Sequence, residues 1–207
     1  MRPLSLYGFA RRNIKHLGYT LPEFTNFYQK ALHRVLEWNA RGTELREGTA
    51  ALIFNKLLSP FDAGYVDLQS PTGSGLAVLV YNYDGYVYPS DEARMLAETG
   101  DGSLRLGSIG DSLAQLMASP VMRQLIETSI STQAVGCETC AFNSFCGPDP
   151  VGAQAEFGDM RTVALLTEHC KRHKWLFEYF FRKLRTADDD FLDIAYRWAH
   201  PAGYSNA

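Results

Sequence analysis

Between Thr20 and Ala40 the apolar residues recur at helical spacing. Phe24, Phe27, Tyr28, Ala31, Leu32, Val35 and Leu36 mark one face, and Gly42 follows. This pattern predicts a long helix opening at Thr20 or Pro22. A second helix is expected over about 49–58, carrying Leu52, Ile53, Leu57 and Leu58. Pro60 stops it, because a proline disfavours helical geometry in the residue before it. After a loop over 61–75 the period shortens to that of a strand. Leu76-Ala-Val-Leu-Val-Tyr-Asn-Tyr83, Asp84-Gly85 and Tyr86-Val-Tyr88 read as a β-hairpin, with Asp-Gly supplying the positive φ angles of a tight two-residue turn.

Ser90 stands where an N-cap belongs, with Asp91 and Glu92 in the first helical turn and Gly100-Asp-Gly102 closing the segment. Short helices are expected at 111–118 and 120–129, then a cysteine loop over 136–150 whose glycines and prolines let the backbone fold closely around a metal. A last long helix is expected from Thr162 to Leu184, a break at Thr186–Asp190, and a shorter helix over 191–199. Residues 3–10 read as a short strand or extended segment, and Pro201–Ala207 as a frayed end. These elements predict an α+β architecture, helix-rich, with one β-hairpin and a cysteine-rich metal loop. Three segments follow: a helical one over 1–60, a metal-binding domain over 61–186 and a helical tail over 187–207.

Composition narrows the field. At 207 residues the chain can build one good core, or one domain plus a helical appendage. A net charge of −3 and a pI near 5.9 argue against a general nucleic-acid binder. No window approaches the apolar run of a membrane span, and Met1–Ala10 lacks the apolar core of a secretory leader, so a cytoplasmic location is expected.

The chemistry is concentrated in the cysteines, of which there are 4: Cys137, Cys140 and Cys146, spaced C-x2-C-x5-C, and Cys170 further along. Thiolates gathered this way suit a soft metal, either a tetrahedral zinc or a four-iron cube. In a reducing cytosol metal binding is the expected use, ahead of disulfides. His169 and His173 flank Cys170, and a zinc site admits histidine. The expectation for both is nevertheless that they point away from the metal.

Other candidate features have plainer readings. Gly73-Ser-Gly75 precedes a strand, not a helix, and reads as a turn, not a phosphate loop. Ser90 and Asp91 are explained by capping, and Asp84 by the hairpin. Ser5, His16 and His33 have no nucleophile–base partner, so no hydrolytic triad is assigned. Asp188–Asp190 reads as a solvated loop, and Arg161, Lys171, Arg172 and Lys174 as helix-surface charge.

Taken together, these residues resemble the SPASM-type domain, the C-terminal auxiliary-cluster module of radical SAM peptide-modifying enzymes. The resemblance is closest to the C-terminal portion of the His-Xaa-Ser system radical SAM maturases. Its carriers are Val66-Asp-Leu-Gln-Ser-Pro71, Tyr81-Asn-Tyr-Asp-Gly85, Ser90-Asp-Glu-Ala-Arg-Met-Leu96 and Cys140-Ala-Phe through Cys146-Gly-Pro-Asp-Pro-Val151, within residues 62–185. Arg2-Pro-Leu-Ser-Leu-Tyr-Gly8 and the following helix resemble the end of a radical SAM barrel.

The resemblance implies that Cys137, Cys140, Cys146 and Cys170 hold one [4Fe–4S] cluster, with Zn2+ as the alternative occupant. Where the family's second cluster takes thiolates, this chain has Thr72, Ser90 and Pro150, so no inner cluster is expected. No cysteine precedes Cys137, so the C-x3-C-x2-C motif that binds SAM is missing and the chain is not by itself a radical SAM enzyme. The implied partners are a radical SAM core protein and a ribosomally made precursor peptide. The contrasting expectation is a catalytically silent peptide- or protein-binding scaffold with a structural four-cysteine site, oligomeric through the 22–40 helix.

Overall fold

The computed structural model describes residues 1–5, 7–61 and 63–200. The described residues are 54% helical with a small three-stranded antiparallel sheet, an α+β architecture. In order the helices are α1 (Gly8–Arg12), α2 (Ile14–Leu17), α3 (Leu21–Ala40), α4 (Gly48–Leu58), α5 (Asp91–Glu98), α6 (Leu113–Met117), α7 (Pro120–Ser129), α8 (Pro150–Phe157), α9 (Glu168–Arg185) and α10 (Asp189–Ala199). Single 3₁₀ turns occupy Val66–Leu68 and Ala164–Leu166. The strands are β1 (Val80–Tyr81), β2 (Tyr86–Tyr88) and β3 (Gly107–Ser108). The chain divides into two compact units, and among the described residues no helix is long and apolar enough to cross a membrane.

The first unit comprises Met1–Leu4, Gly18–Ala63 and the chain from Lys174 onward. α3 begins where Thr20 forms a capping box with Glu23, which satisfies two backbone donors reciprocally. Phe24, Tyr28 and Leu32 bury its inner face. Phe27, expected on that face, is 60% exposed, because successive apolar positions on a helix spread beyond a single seam.

Glu47 caps α4 by accepting from the Thr49 and Ala50 N–H groups, and it also accepts from the Tyr28 hydroxyl at 2.7 Å. This buried carboxylate is thereby held at several points. Ser59, ahead of Pro60, is extended and ends α4 as the proline requires. α10 packs on α4. Between them Phe54 meets Phe180 edge-on at 4.9 Å, Phe191 at 5.8 Å and Trp198 at 6.2 Å.

The second unit comprises Ser5–Leu17 and Gly64–His173. Its sheet runs in the order β1-β2-β3, with Val80 opposite Tyr88 and Val87 opposite Gly107. Three features differ from the sequence reading. The strand expected from Leu76 joins the sheet at Val80–Tyr81, with Val78 making an isolated bridge to Ser74, and a third strand, β3, adds to the hairpin. The turn is also longer than two residues: Asn82 N–H donates to the Tyr86 carbonyl, and only Gly85 has positive φ, at 86°. A three-residue loop with one left-handed glycine closes the strands in this way. The Asp84 carboxylate stabilises it by accepting from the Tyr86 N–H at 3.0 Å and the Tyr88 hydroxyl at 2.6 Å.

Around the sheet, Val87, Tyr88, Leu96, Leu104, Leu116, Met122, Leu125 and Val151 form the core of this unit. Ser90 caps α5 through the Ala93 N–H, as its sequence position predicted, and Ser112 and Ser119 cap α6 and α7. Of residues 3–10, expected to be a strand or extended, Gly8–Ala10 lie in α1. The long helix expected from Thr162 begins at Glu168 after a 3₁₀ turn, and α8 follows directly on the cysteine loop. The tail expected to fray over Pro201–Ala207 lies outside the described residues.

Phe54 contacts three aromatic rings and has no exposed surface. The Phe54→Ala variant is expected to lose about 3–5 kcal/mol of unfolding free energy in urea denaturation.

Candidate metal centre

The cysteine loop is built from successive tight turns. Cys137 N–H donates to Ala134 O at 2.9 Å, Cys140 N–H to Cys137 O at 3.0 Å, Asn143 N–H to Cys140 O at 3.1 Å and Cys146 N–H to Phe142 O at 3.1 Å. Asn143 fastens the coil from within. Its amide nitrogen donates to Cys137 O at 2.6 Å and Ser131 O at 3.0 Å, while its oxygen accepts from the Ser131 hydroxyl. Ser131 N–H in turn donates to Ser70 Oγ at 2.8 Å. Asn143 went unnoticed in the sequence; its one signal was an amide side chain midway through C-x5-C, where turns need a local donor.

Cys170 comes from a different element. It lies in the first turn of α9, where Thr167 Oγ1 accepts its N–H at 3.1 Å in the manner of an N-cap. Loop and helix are joined by His169, whose Nε2–H donates to the Gly147 carbonyl at 3.0 Å. Gly147 itself lies against the backbone of Gln69; a Cβ there would sit 2.0 Å from the Gln69 carbonyl oxygen, so only glycine fits. Beyond it Asp149 caps α8, accepting from Gly152 N–H at 2.8 Å.

All four cysteines are partly buried thiols outside any disulfide. Burial pushes the Cys137 thiol up to about 11, and the nearby Cys170 and Cys140 sulfurs push it the same way. Burial pushes Cys146 up to about 12, assisted by Cys170, Cys137 and Cys140. Cys146 thus feels the other three sulfurs, and Cys137 feels those of Cys170 and Cys140. Among the described residues, however, no three His, Cys, Asp or Glu side chains converge closely enough to hold a metal ion.

The donor set suits a soft cation, since a bound cation reverses the cost of gathering thiolates and removes their protons. Two sulfurs already make local contacts: Cys140 Sγ accepts from Phe142 N–H at 3.5 Å, and Cys146 Sγ lies 3.7 Å from Gly147 O. The positions lacking thiols have structural duties. Thr72 is buried, with its N–H on Ser129 Oγ at 2.9 Å; Ser90 caps α5; Pro150 opens α8.

His169 and His173 are buried, at 7% and 6% exposure, with ring centroids 4.2 Å apart. Burial lowers the His169 pKa to about 4, assisted by the Arg172 charge, and holds that of His173 well below its usual value, assisted by His169. His169 Nδ1 lies 3.7 Å from Asp149 Oδ2. That spacing would suit an ion pair, but burial also raises the Asp149 carboxyl, so the contact is a polar one between groups that both resist charge.

No family model, curated protein or solved structure matches this chain significantly.

The two imidazoles have opposite hydrogen-bonding edges. His169 uses Nε2 on the Gly147 carbonyl, and His173 uses Nδ1 on the His169 carbonyl at 2.9 Å. Long-range nitrogen–proton NMR at neutral pH is expected to find both rings neutral, His169 protonated at Nε2 and His173 at Nδ1.

Proposed function

We propose that Cys137, Cys140, Cys146 and Cys170 hold one [4Fe–4S] cluster, and that the chain is an auxiliary iron–sulfur module of a radical SAM peptide-maturation system. The observation that carries this reading is the donor set: three cysteines held in one loop of tight turns and a fourth in the first turn of α9, tied to that loop by the His169–Gly147 bond. Sulfur is the common element of the donor set, and the neighbouring imidazoles are engaged with backbone carbonyls. The SPASM-like motifs over 62–185 favour iron and sulfide over zinc.

When bound, such a cluster supplies one-electron transfer. The chain's own residues supply its setting. Four thiolates leave no position for an exogenous ligand, which suits relay or structural support and not direct binding of substrate. The Phe142 N–H on Cys140 Sγ, and the partial burial of all four cysteines, are the levers a protein has on the potential of such a site.

Because no C-x3-C-x2-C motif is present, reductive cleavage of SAM needs a core domain beyond this sequence. That core and a precursor peptide are the proposed partners, in a reducing cytoplasm where thiols persist.

Anaerobically purified protein is expected to carry about four irons and four sulfides per chain, with visible absorption bleached by dithionite. The Cys146→Ala and Cys170→Ala variants should each lose most of that iron. One zinc per chain without sulfide would end the electron-relay reading and leave a scaffold with a structural four-thiolate zinc site.

A further inference from the structure

His169 joins the two elements that carry the thiols. It precedes Cys170 on α9 by one residue, and its Nε2–H bond ends on the carbonyl of Gly147, one residue beyond Cys146. Consecutive side chains leave an α-helix roughly 100° apart, so imidazole and thiol at adjacent positions serve different neighbours. One ring nitrogen faces the Gly147 carbonyl and the other faces Asp149 Oδ2 at 3.7 Å, so neither is directed at a sulfur. The strap Cys146-Gly147-Pro148-Asp149 is fixed from its other side as well. Gly147 rests on the Gln69 backbone with no room for a Cβ, and the Asp149 carboxylate is anchored to the start of α8. His173 completes the arrangement by donating Nδ1–H to the His169 carbonyl one turn further along.

We infer that His169 is a positioning residue for the metal centre, its bond to the Gly147 carbonyl setting the spacing between Cys146 on the loop and Cys170 on the helix. The inference rests on the four-cysteine reading of the site and adds a residue to it that supplies no metal ligand. Partners that orient ligands in this way, when removed, weaken metal binding even though every ligand remains.

The test uses the full chain in three variants. His169→Gln places an amide donor at the reach of Nε2. His169→Asn keeps a donor but falls short of the Gly147 carbonyl. His169→Phe keeps a ring and removes the donor. Zinc affinity, measured by competition with a chromophoric chelator, is expected to fall about 10–100-fold in the Asn and Phe variants and to recover in the Gln variant.

A second readout needs no metal. In the reduced metal-free chain, a trivalent arsenical should bridge Cys146 to Cys170 in the wild type and in His169→Gln, and bridge them poorly in His169→Asn and His169→Phe. Peptide mass mapping identifies the bridged pair, and circular dichroism selects the folded variants. Wild-type zinc affinity in a folded Asn or Phe variant would overturn the inference. So would equal loss in all three variants, which would make His169 a ligand. If the wild type binds neither iron nor zinc, the proposed function fails on its own, and the arsenical pattern decides the positioning role alone: loss confined to Asn and Phe upholds it, and uniform bridging overturns it.

Discussion

Gathering thiolates in one partly buried place is unfavourable unless a cation receives them. Burial is the main reason that Cys137 and Cys146 are both pushed up, and neighbouring sulfurs add to it, since each that ionises raises the cost for the next. The electrostatics that push these two thiols up would be reversed by a bound metal, since a cation exchanges repulsion among sulfurs for attraction to itself. On the proposed reading, metal binding and the last local folding of the loop would be one event.

The protein's part is to limit how far the chain must move. Turn upon turn of backbone hydrogen bonds, with Asn143 at their centre, hold three of the cysteines within one coil. Cys170 is delivered by α9, whose first turn Thr167 caps. Between coil and helix stand Gly147, which no larger residue could replace without striking Gln69, and His169, which grips the Gly147 carbonyl. Histidine beside a cysteine is usually suspected of ligation. Here two backbone carbonyls engage the rings, and burial depresses both pKa values against the pull of those bonds.

Much of the fold was legible because its signals were local. Thr20 with Glu23, Ser90, and Pro60 after α4 fix helix ends by satisfying or denying particular backbone groups, and each does so in the structure. The turn at Gly85 was found, but its type was not. Asp-Gly also fits a three-residue loop, and the choice lies with the pairing of Asn82 and Tyr86. β3 was missed because Gly107–Ser108 has no strand character of its own and pairs only because β2 offers an edge. α9 was begun too early for a similar reason: Thr162–Leu166 is apolar enough to resemble a helix, yet Thr167 caps the true one. At the site, the residue types were visible in the spacing of the cysteines. The roles of Asn143, Gly147 and His169 were not, since they depend on Ser131 and Gln69, whose proximity no short-range pattern encodes.

The central claim, one soft-metal centre shared by all four cysteines, is tested most directly by X-ray absorption at the metal edge of the anaerobically loaded full chain. The account predicts a first shell made of sulfur alone, four per metal, with zinc at about 2.3 Å if zinc is the occupant, and an added iron neighbour if a cluster is. It also predicts that Cys170→Ala alters that shell. A first shell containing nitrogen or oxygen from the protein, or a spectrum unchanged by Cys170→Ala, would contradict it.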